Sequence, residues 1–161
     1  MLFGKALIEH LPGLRRYATA LSGRLSEADD LVQDCMERAL RAADSLQDST
    51  RMGAWLRSIV RHRFYDQRRG AAGRAETVDL SVLENDLAVS APARDHGQIQ
   101  DMVRATMALS SEHRQILILV GVEGLSYREV ADELNLPLGT VMSRLARARA
   151  QLRAALGEGA A

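Results

Sequence analysis

The chain has 161 residues, 47% of them hydrophobic and 26% charged, with 21 Lys+Arg balanced by 21 Asp+Glu. That apolar content excludes a mostly disordered chain, and the length admits one domain or two small ones. A single cysteine, Cys35, excludes an internal disulfide.

No apolar run reaches membrane-spanning length, and MLFGKALIEH lacks the basic start and cleavage site of a secretory leader, so a cytoplasmic protein is expected. The histidines and the cysteine are scattered without metal-ligand spacing, so neither a metal nor a cofactor is expected. Leu, Ala, Arg and Glu dominate, which favours helix throughout. The fold class is therefore all-α, as two small helical domains joined by a flexible linker: 1–70, a linker at 71–98, and 99–161.

Residues 4–22 read as helix with a break at Pro12-Gly13, after which Leu14, Ala18 and Leu21 recur at helical spacing. Residues 26–42 form an amphipathic helix, with Ser26 as N-cap and Asp29 three residues on. Its apolar positions are Ala28, Leu31, Val32, Cys35, Met36, Ala39 and Leu40; its polar face carries Asp29, Asp30, Gln33, Asp34 and Glu37. A polar loop, DSLQDSTR, follows at 44–51. Residues 52–69 are again helical, with Trp55, Leu56, Ile59, Val60 and Phe64 inward. Arg51, Arg57, Arg61, Arg63, Arg68 and Arg69 crowd this stretch, opposed only by Asp66.

Periodicity fades over 71–98, where two arginines face five acids; this is the linker, with a short helical stretch around 79–88. Helix resumes with Ile99, Met102, Val103 and Thr106 on one face. Ser110 caps the next helix, whose core side is His113, Ile116, Leu117 and Val120, with Gly124 as its stop.

The C-terminal segment carries the sharpest pattern. Ser126-Tyr127-Arg128-Glu129 is a capping box, Val130, Ala131 and Leu134 face inward, and Asn135 suits a left-handed helix end. Leu136 to Gly139 form a turn, and Thr140 caps a last helix running to about Ala155. Val141, Leu145, Ala148 and Leu152 make its apolar stripe; Thr140, Ser143, Arg144, Arg147 and Gln151 lie opposite, with Arg149 and Arg153 on a flank. A basic helix alone is more often a solvated face than a ligand site. Capping box, tight turn and basic second helix in this order instead spell a helix-turn-helix whose second helix fits the DNA major groove. The amides at Ser126 and Tyr127 open a helix, a favourable place for a phosphate.

EGLSYREVADELNLPLGTVMSRLARARAQLR resembles region 4 of bacterial sigma factors, and SEADDLVQDCMERALRA followed by AWLRSIVRHRFYDQRR resembles region 2. The short connection between them resembles the extracytoplasmic function (ECF) group. LPGLRRYATALSG, DDLVQD and GTVMSRL are most similar to its general-stress branch.

The resemblance implies a protein that binds core RNA polymerase, brings it to promoter DNA and helps open the duplex, without catalysis of its own. It implies polymerase docking through Asp29, Asp30, Gln33, Asp34 and Glu37. It implies minus-ten contacts through the loop residues Leu46, Gln47, Asp48, Ser49 and Arg51, which would receive a flipped base, and through Arg57, Arg61, His62, Tyr65, Arg68 and Arg69. Where His62 stands the family often has Asn. Minus-thirty-five contacts would come from Ser126, Tyr127, Thr140, Ser143, Arg144, Arg147, Arg149 and Gln151. An anti-sigma factor is a further implied partner, and the linker would let the two domains close around it.

Trp55 and Phe64 are expected in the core, and Cys35 as a buried structural thiol. The alternative is a helix-turn-helix regulator without a polymerase role, which would need neither the acidic helix at 29–37 nor the basic one at 51–69. An adaptor without DNA binding leaves the arginines of 144–153 unexplained. A metal-dependent helical enzyme needs Glu-x-x-His pairs, whereas Glu9-His10 and Glu112-His113 are adjacent and fall on different faces.

Overall fold

A computed structural model describes residues 2–70 and 96–157 of the chain. The described residues form seven α-helices and no strand. The chain divides into two compact units, Met1–Thr77 and Val78–Ala161. The all-α, two-unit architecture agrees with the composition. The expected linker, apart from its last three residues, and its short helical stretch around 79–88 lie outside the described residues.

The first unit packs three helices: α1 (Leu2–Ser22), α2 (Leu25–Arg41) and α3 (Met52–Gly70). Leu7, Leu14, Tyr17, Ala18 and Leu21 of α1 meet Ala28, Leu31, Cys35 and Ala39 of α2 and Leu56, Val60 and Phe64 of α3, all nearly inaccessible to solvent. The break expected at Pro12-Gly13 is absent, and α1 runs through Pro12. Pro12 is exposed, so its ring disturbs the helix only on its outer side, while the buried Leu7 and Leu14 on either side of it carry the helix across.

α1 ends at Gly23, whose φ of +73° is the left-handed conformation that favours glycine. The reversal is so tight that α2 begins at Leu25 behind Arg24, which lacks a side-chain cap. Ser26 is therefore inside the first turn and not the N-cap. The hydroxyl of Ser22 takes over part of that task, accepting from the Arg24 amide at 3.3 Å.

Four core expectations shift outward, and Met36 is one of them, being only half-buried. Leu40 is 60% exposed, and Trp55 and Ile59 are only half-buried. The buried stripe of α3 is Met52, Leu56, Val60 and Phe64, an i, i+4 row that leaves Trp55 beside it, edge-on to Phe3 at 6.3 Å. Cys35 is buried as expected, and burial pushes its thiol pKa up to about 12.

The second unit contains α4 (His96–Met107), α5 (Ser111–Gly121), α6 (Tyr127–Leu134) and α7 (Leu138–Ala155). Residues 96–98, expected at the end of the linker, are already helical. Ser110 caps α5, accepting from the His113 amide. The buried face of α5 is Gln115, Ile116, Ile118 and Leu119, with His113, Leu117 and Val120 only partly covered. An uninterrupted apolar run cannot by its own pattern say which side faces in. The chain leaves α5 through Gly124, at φ +72°, and the Leu125 amide reaches back to the Leu119 carbonyl.

Candidate polymerase and DNA interfaces

The helix-turn-helix forms much as its residues dictate. The Ser126 hydroxyl accepts from the Glu129 amide at 3.1 Å, and the Glu129 carboxylate accepts from the Ser126 amide at 2.7 Å. Both halves of the capping box are made. Asn135 ends α6 at φ 53°, and Val130 and Ala131 are buried against Val141, Leu145 and Ala148 of α7.

Thr140 is not the N-cap of α7. The Pro137 carbonyl accepts from the amides of Thr140 (3.0 Å) and Val141 (3.2 Å), so α7 starts at Leu138 and the turn shrinks to Asn135–Pro137. Proline supplies the fixed φ of −59° that this entry needs.

The polar residues of α7 fall into three sets. Ser143 and Arg147 are exposed on the side away from the buried stripe. Arg144 and Gln151 turn toward α5: Arg144 Nη1 lies 3.8 Å from Glu112 Oε2, and His113 Nδ1 lies 2.9 Å from Gln151 Oε1. On the other flank Arg149 Nη1 donates to the Tyr127 hydroxyl at 3.2 Å. Thr140 is half-buried, and its carbonyl accepts from Ser143 Oγ. Leu138 and Met142, 39% and 51% exposed, also stand on this surface. Sequence reasoning passed over both because they are apolar, although their i, i+4 spacing lies off the buried stripe.

In the first unit the acidic residues of α2 separate by partner. Asp29 accepts from Arg15 of α1 at 2.9 Å. Asp34 sits between Arg38 and Arg63, each 3.0 Å away. Asp30, Gln33 and Glu37 are exposed, and Leu40 continues their row one turn beyond Glu37. The exposure of Leu40 is what the sequence reading missed here, and its spacing from Gln33 and Glu37 was the available signal.

The loop between α2 and α3 has two short 3₁₀ turns, Ala43–Ser45 and Ser49–Arg51. Asp48 organises the second, accepting from the Thr50 hydroxyl at 2.6 Å and the Thr50 amide at 2.9 Å. Those bonds, helped by the nearby Arg51, hold its carboxyl below the usual range. Gln47, Ser49 and Arg51 are exposed and Leu46 half-buried.

Along α3, Arg57, Arg61, Tyr65 and Arg68 recur every three or four residues and share one side. Arg61 Nη1 donates to the buried Tyr17 hydroxyl at 3.1 Å. Arg68 lies 4.9 Å over the Phe64 ring and 3.8 Å from Glu27. Tyr65 is 38% exposed. His62 and Arg69 are exposed beside this row; His62 Nδ1 contacts the Ser58 carbonyl at 2.7 Å, and Arg69 pairs with Asp66. Among the described residues no cluster of His, Cys, Asp or Glu could hold a metal ion, and no helix is long and apolar enough to cross a membrane.

Comparison with known proteins identifies the family. Residues 7–74 match the family described as Sigma-70 region 2, and residues 99–152 match Sigma-70, region 4. The ECF RNA polymerase sigma factor EcfG of Rhodopseudomonas palustris (strain TIE-1) is 36% identical over 151 residues, covering 93% of this chain and 82% of that protein. Among solved structures, the sigma factor RpoE from Bartonella quintana, in complex with the anti-sigma factor NepR, superposes with a TM-score of 0.76 at 31% identity, covering 96% of both chains. CnrH, in complex with the cytosolic domain of CnrY, gives a TM-score of 0.65 at 26% identity over 96% of this chain and 87% of that one. With both sigma regions matched in order and relatives alike along nearly the whole chain, this protein belongs to the ECF sigma factors of RNA polymerase, which act in transcription initiation.

Proposed function

We propose that the chain is the promoter-selecting subunit of a bacterial RNA polymerase, with its two units dividing the work as follows. Asp30, Gln33 and Glu37 of α2 dock on core polymerase, with Asp29 and Asp34 at the edges, where Arg15, Arg38 and Arg63 already draw on their charge. An exposed acidic row beside a basic partner speeds encounter and fixes register. The loop Leu46 to Arg51 receives an unpaired base, and Arg57, Arg61, His62, Tyr65, Arg68 and Arg69 follow the backbone of the minus-ten element. Cations there neutralise phosphates, and the exposed Tyr65 ring offers a stacking surface. Ser126 and Tyr127 at the start of α6 and the exposed side of α7, with Thr140, Ser143, Arg144, Arg147, Arg149 and Gln151 on or beside it, meet the minus-thirty-five element.

The observation that carries this reading is the coexistence in one chain of a capped helix-turn-helix and a separate unit with an exposed acidic row and an arginine-rich helix. A regulator that only binds DNA has no use for the second set. The protein acts without catalysis of its own and works in the cytoplasm. It belongs to the general-stress branch, and an anti-sigma factor holds it inactive until a signal arrives. The two solved relatives support this regulation, since one was captured with an anti-sigma factor and the other with a cytosolic partner domain.

Transcription reconstituted with purified core polymerase tests the assignment. Addition of the chain should direct initiation at a subset of promoters that core polymerase ignores. A chain that binds promoter fragments yet gives core polymerase no promoter-dependent initiation would contradict it.

A further inference from the structure

Arg144 and Gln151, two positions on α7 that the sequence points toward DNA, are each held by α5, and by consecutive residues of it. Glu112 reaches the Arg144 guanidinium (3.8 Å) and His113 reaches the Gln151 amide oxygen (2.9 Å). Arg144 and Gln151 are seven residues apart, two helical turns, so they form one row along α7. Glu112 and His113 are fixed in turn by the Ser110 cap, which takes the His113 amide. Apolar packing is firm around Arg144, where Val141, Leu145 and Ala148 are buried, and thins toward Gln151, where Leu152 is half-covered. An open cleft of about 360 Å³ runs between Ala105 and Ala108 of α4 and Gln151 and Ala155 of α7. Beyond the buried stripe Val141, Leu145 and Ala148, which sets how α7 lies, the two polar contacts tie this flank of the helix to α5 and trim its rotation.

That rotation matters for recognition. Arg144 and Arg147 project about 60° apart around a helix of 3.6 residues per turn. A roll of about 60° would exchange one for the other at a base edge, and a smaller one shifts the aim of both. Resting on the sigma reading above, we propose that Glu112 and His113 are positioning residues for the DNA-reading helix. Arg144 and Gln151 serve that setting, and base discrimination in the minus-thirty-five element falls to Ser143 and Arg147. Glu112 is also an acid in the first turn of α5, where the helix dipole favours it whatever α7 does. A charge exchange separates the two roles, because it restores the pair while worsening the dipole.

The test uses holoenzyme reconstituted with the full chain and a promoter panel carrying single substitutions across the minus-thirty-five element. Glu112→Ala should lower discrimination at all these positions together, by about 3- to 10-fold. Overall DNA affinity should rise at the same time, since an acid near the phosphates is removed. The exchange Glu112→Arg with Arg144→Glu should recover discrimination. Ser143→Ala and Arg147→Ala should each flatten preference at only one or two base pairs. The proposal is overturned if Arg144→Ala relaxes a single base pair and leaves the others intact, or if Glu112→Ala changes nothing. A wild-type holoenzyme indifferent to the upstream element would instead overturn the sigma reading on which the proposal rests.

Discussion

Replacing Ser126 by alanine removes one half of the capping box and nothing else of size, since Ser126 is exposed. The Glu129 amide loses its acceptor at 3.1 Å, while the Glu129 carboxylate still reaches the residue-126 amide. α6 has only eight residues, too few to persist alone, so its order depends on this cap and on Val130 and Ala131 packing against α7. Loss of a serine N-cap costs about 1 kcal/mol, which is about a 5-fold change in a local opening equilibrium. Amide hydrogen exchange reads this directly: protection across α6 should fall about 5-fold. The amides of α3 in the other unit provide an unchanged internal reference. Ser126→Thr keeps the acceptor and should retain most of the protection. Equal losses for alanine and threonine, or none for alanine, would refute the capping argument.

Three further outcomes follow. Leu56→Ala opens a cavity at a fully buried position of the first unit and should cost about 3 kcal/mol, visible as an earlier urea transition in the fluorescence of the sole tryptophan, Trp55. Cys35 should resist thiol reagents at pH 8 until urea unfolds the first unit. Because its folded pKa of about 12 is raised above 9.0, its contribution to stability is complete below pH 9 and is lost as pH climbs toward 12; a Cys35→Ala variant should show a shallower alkaline decline. Asp48 has the opposite sign: its lowered pKa means the Thr50 contacts persist above pH 3.8 and are released on further acidification. The Thr50 amide resonance should titrate with a midpoint below 3.8, and in Asp48→Asn it should not titrate there.

Much of the fold was legible because several signals agreed at each place. Ser126, Glu129 and Asn135 mark the two ends of α6 by backbone chemistry that no tertiary contact had to override. The stripe Val141, Leu145 and Ala148 declared its burial through spacing alone. Misreadings arose where one residue type supports two structures. Pro12 signals a break in isolation, but a helix packed on two neighbours tolerates it on its wet side. Ser26 and Thr140 are good caps by type, yet Gly23 and Pro137 had already set where their helices begin.

The candidate faces were legible in the sequence, but the pairings within them were not. Asp34 has Arg38 one turn on, a pairing the spacing shows, but the second partner, Arg63, 29 positions away, came only with the fold. Arg144, half-buried and near Glu112 of another helix, likewise differs from the exposed Arg147 in ways the fold brings about. Leu40 and Met142 were passed over because apolar residues are assumed inward, yet both are exposed.

Binding to purified core RNA polymerase, with the housekeeping sigma factor as competitor, tests the central claim most directly. The account predicts tight binding that the housekeeping factor displaces, weakened by Asp30→Ala with Glu37→Ala while the fold stays intact. Folded protein, free of any inhibitor, that fails to bind core polymerase, or binds without competing, would contradict it.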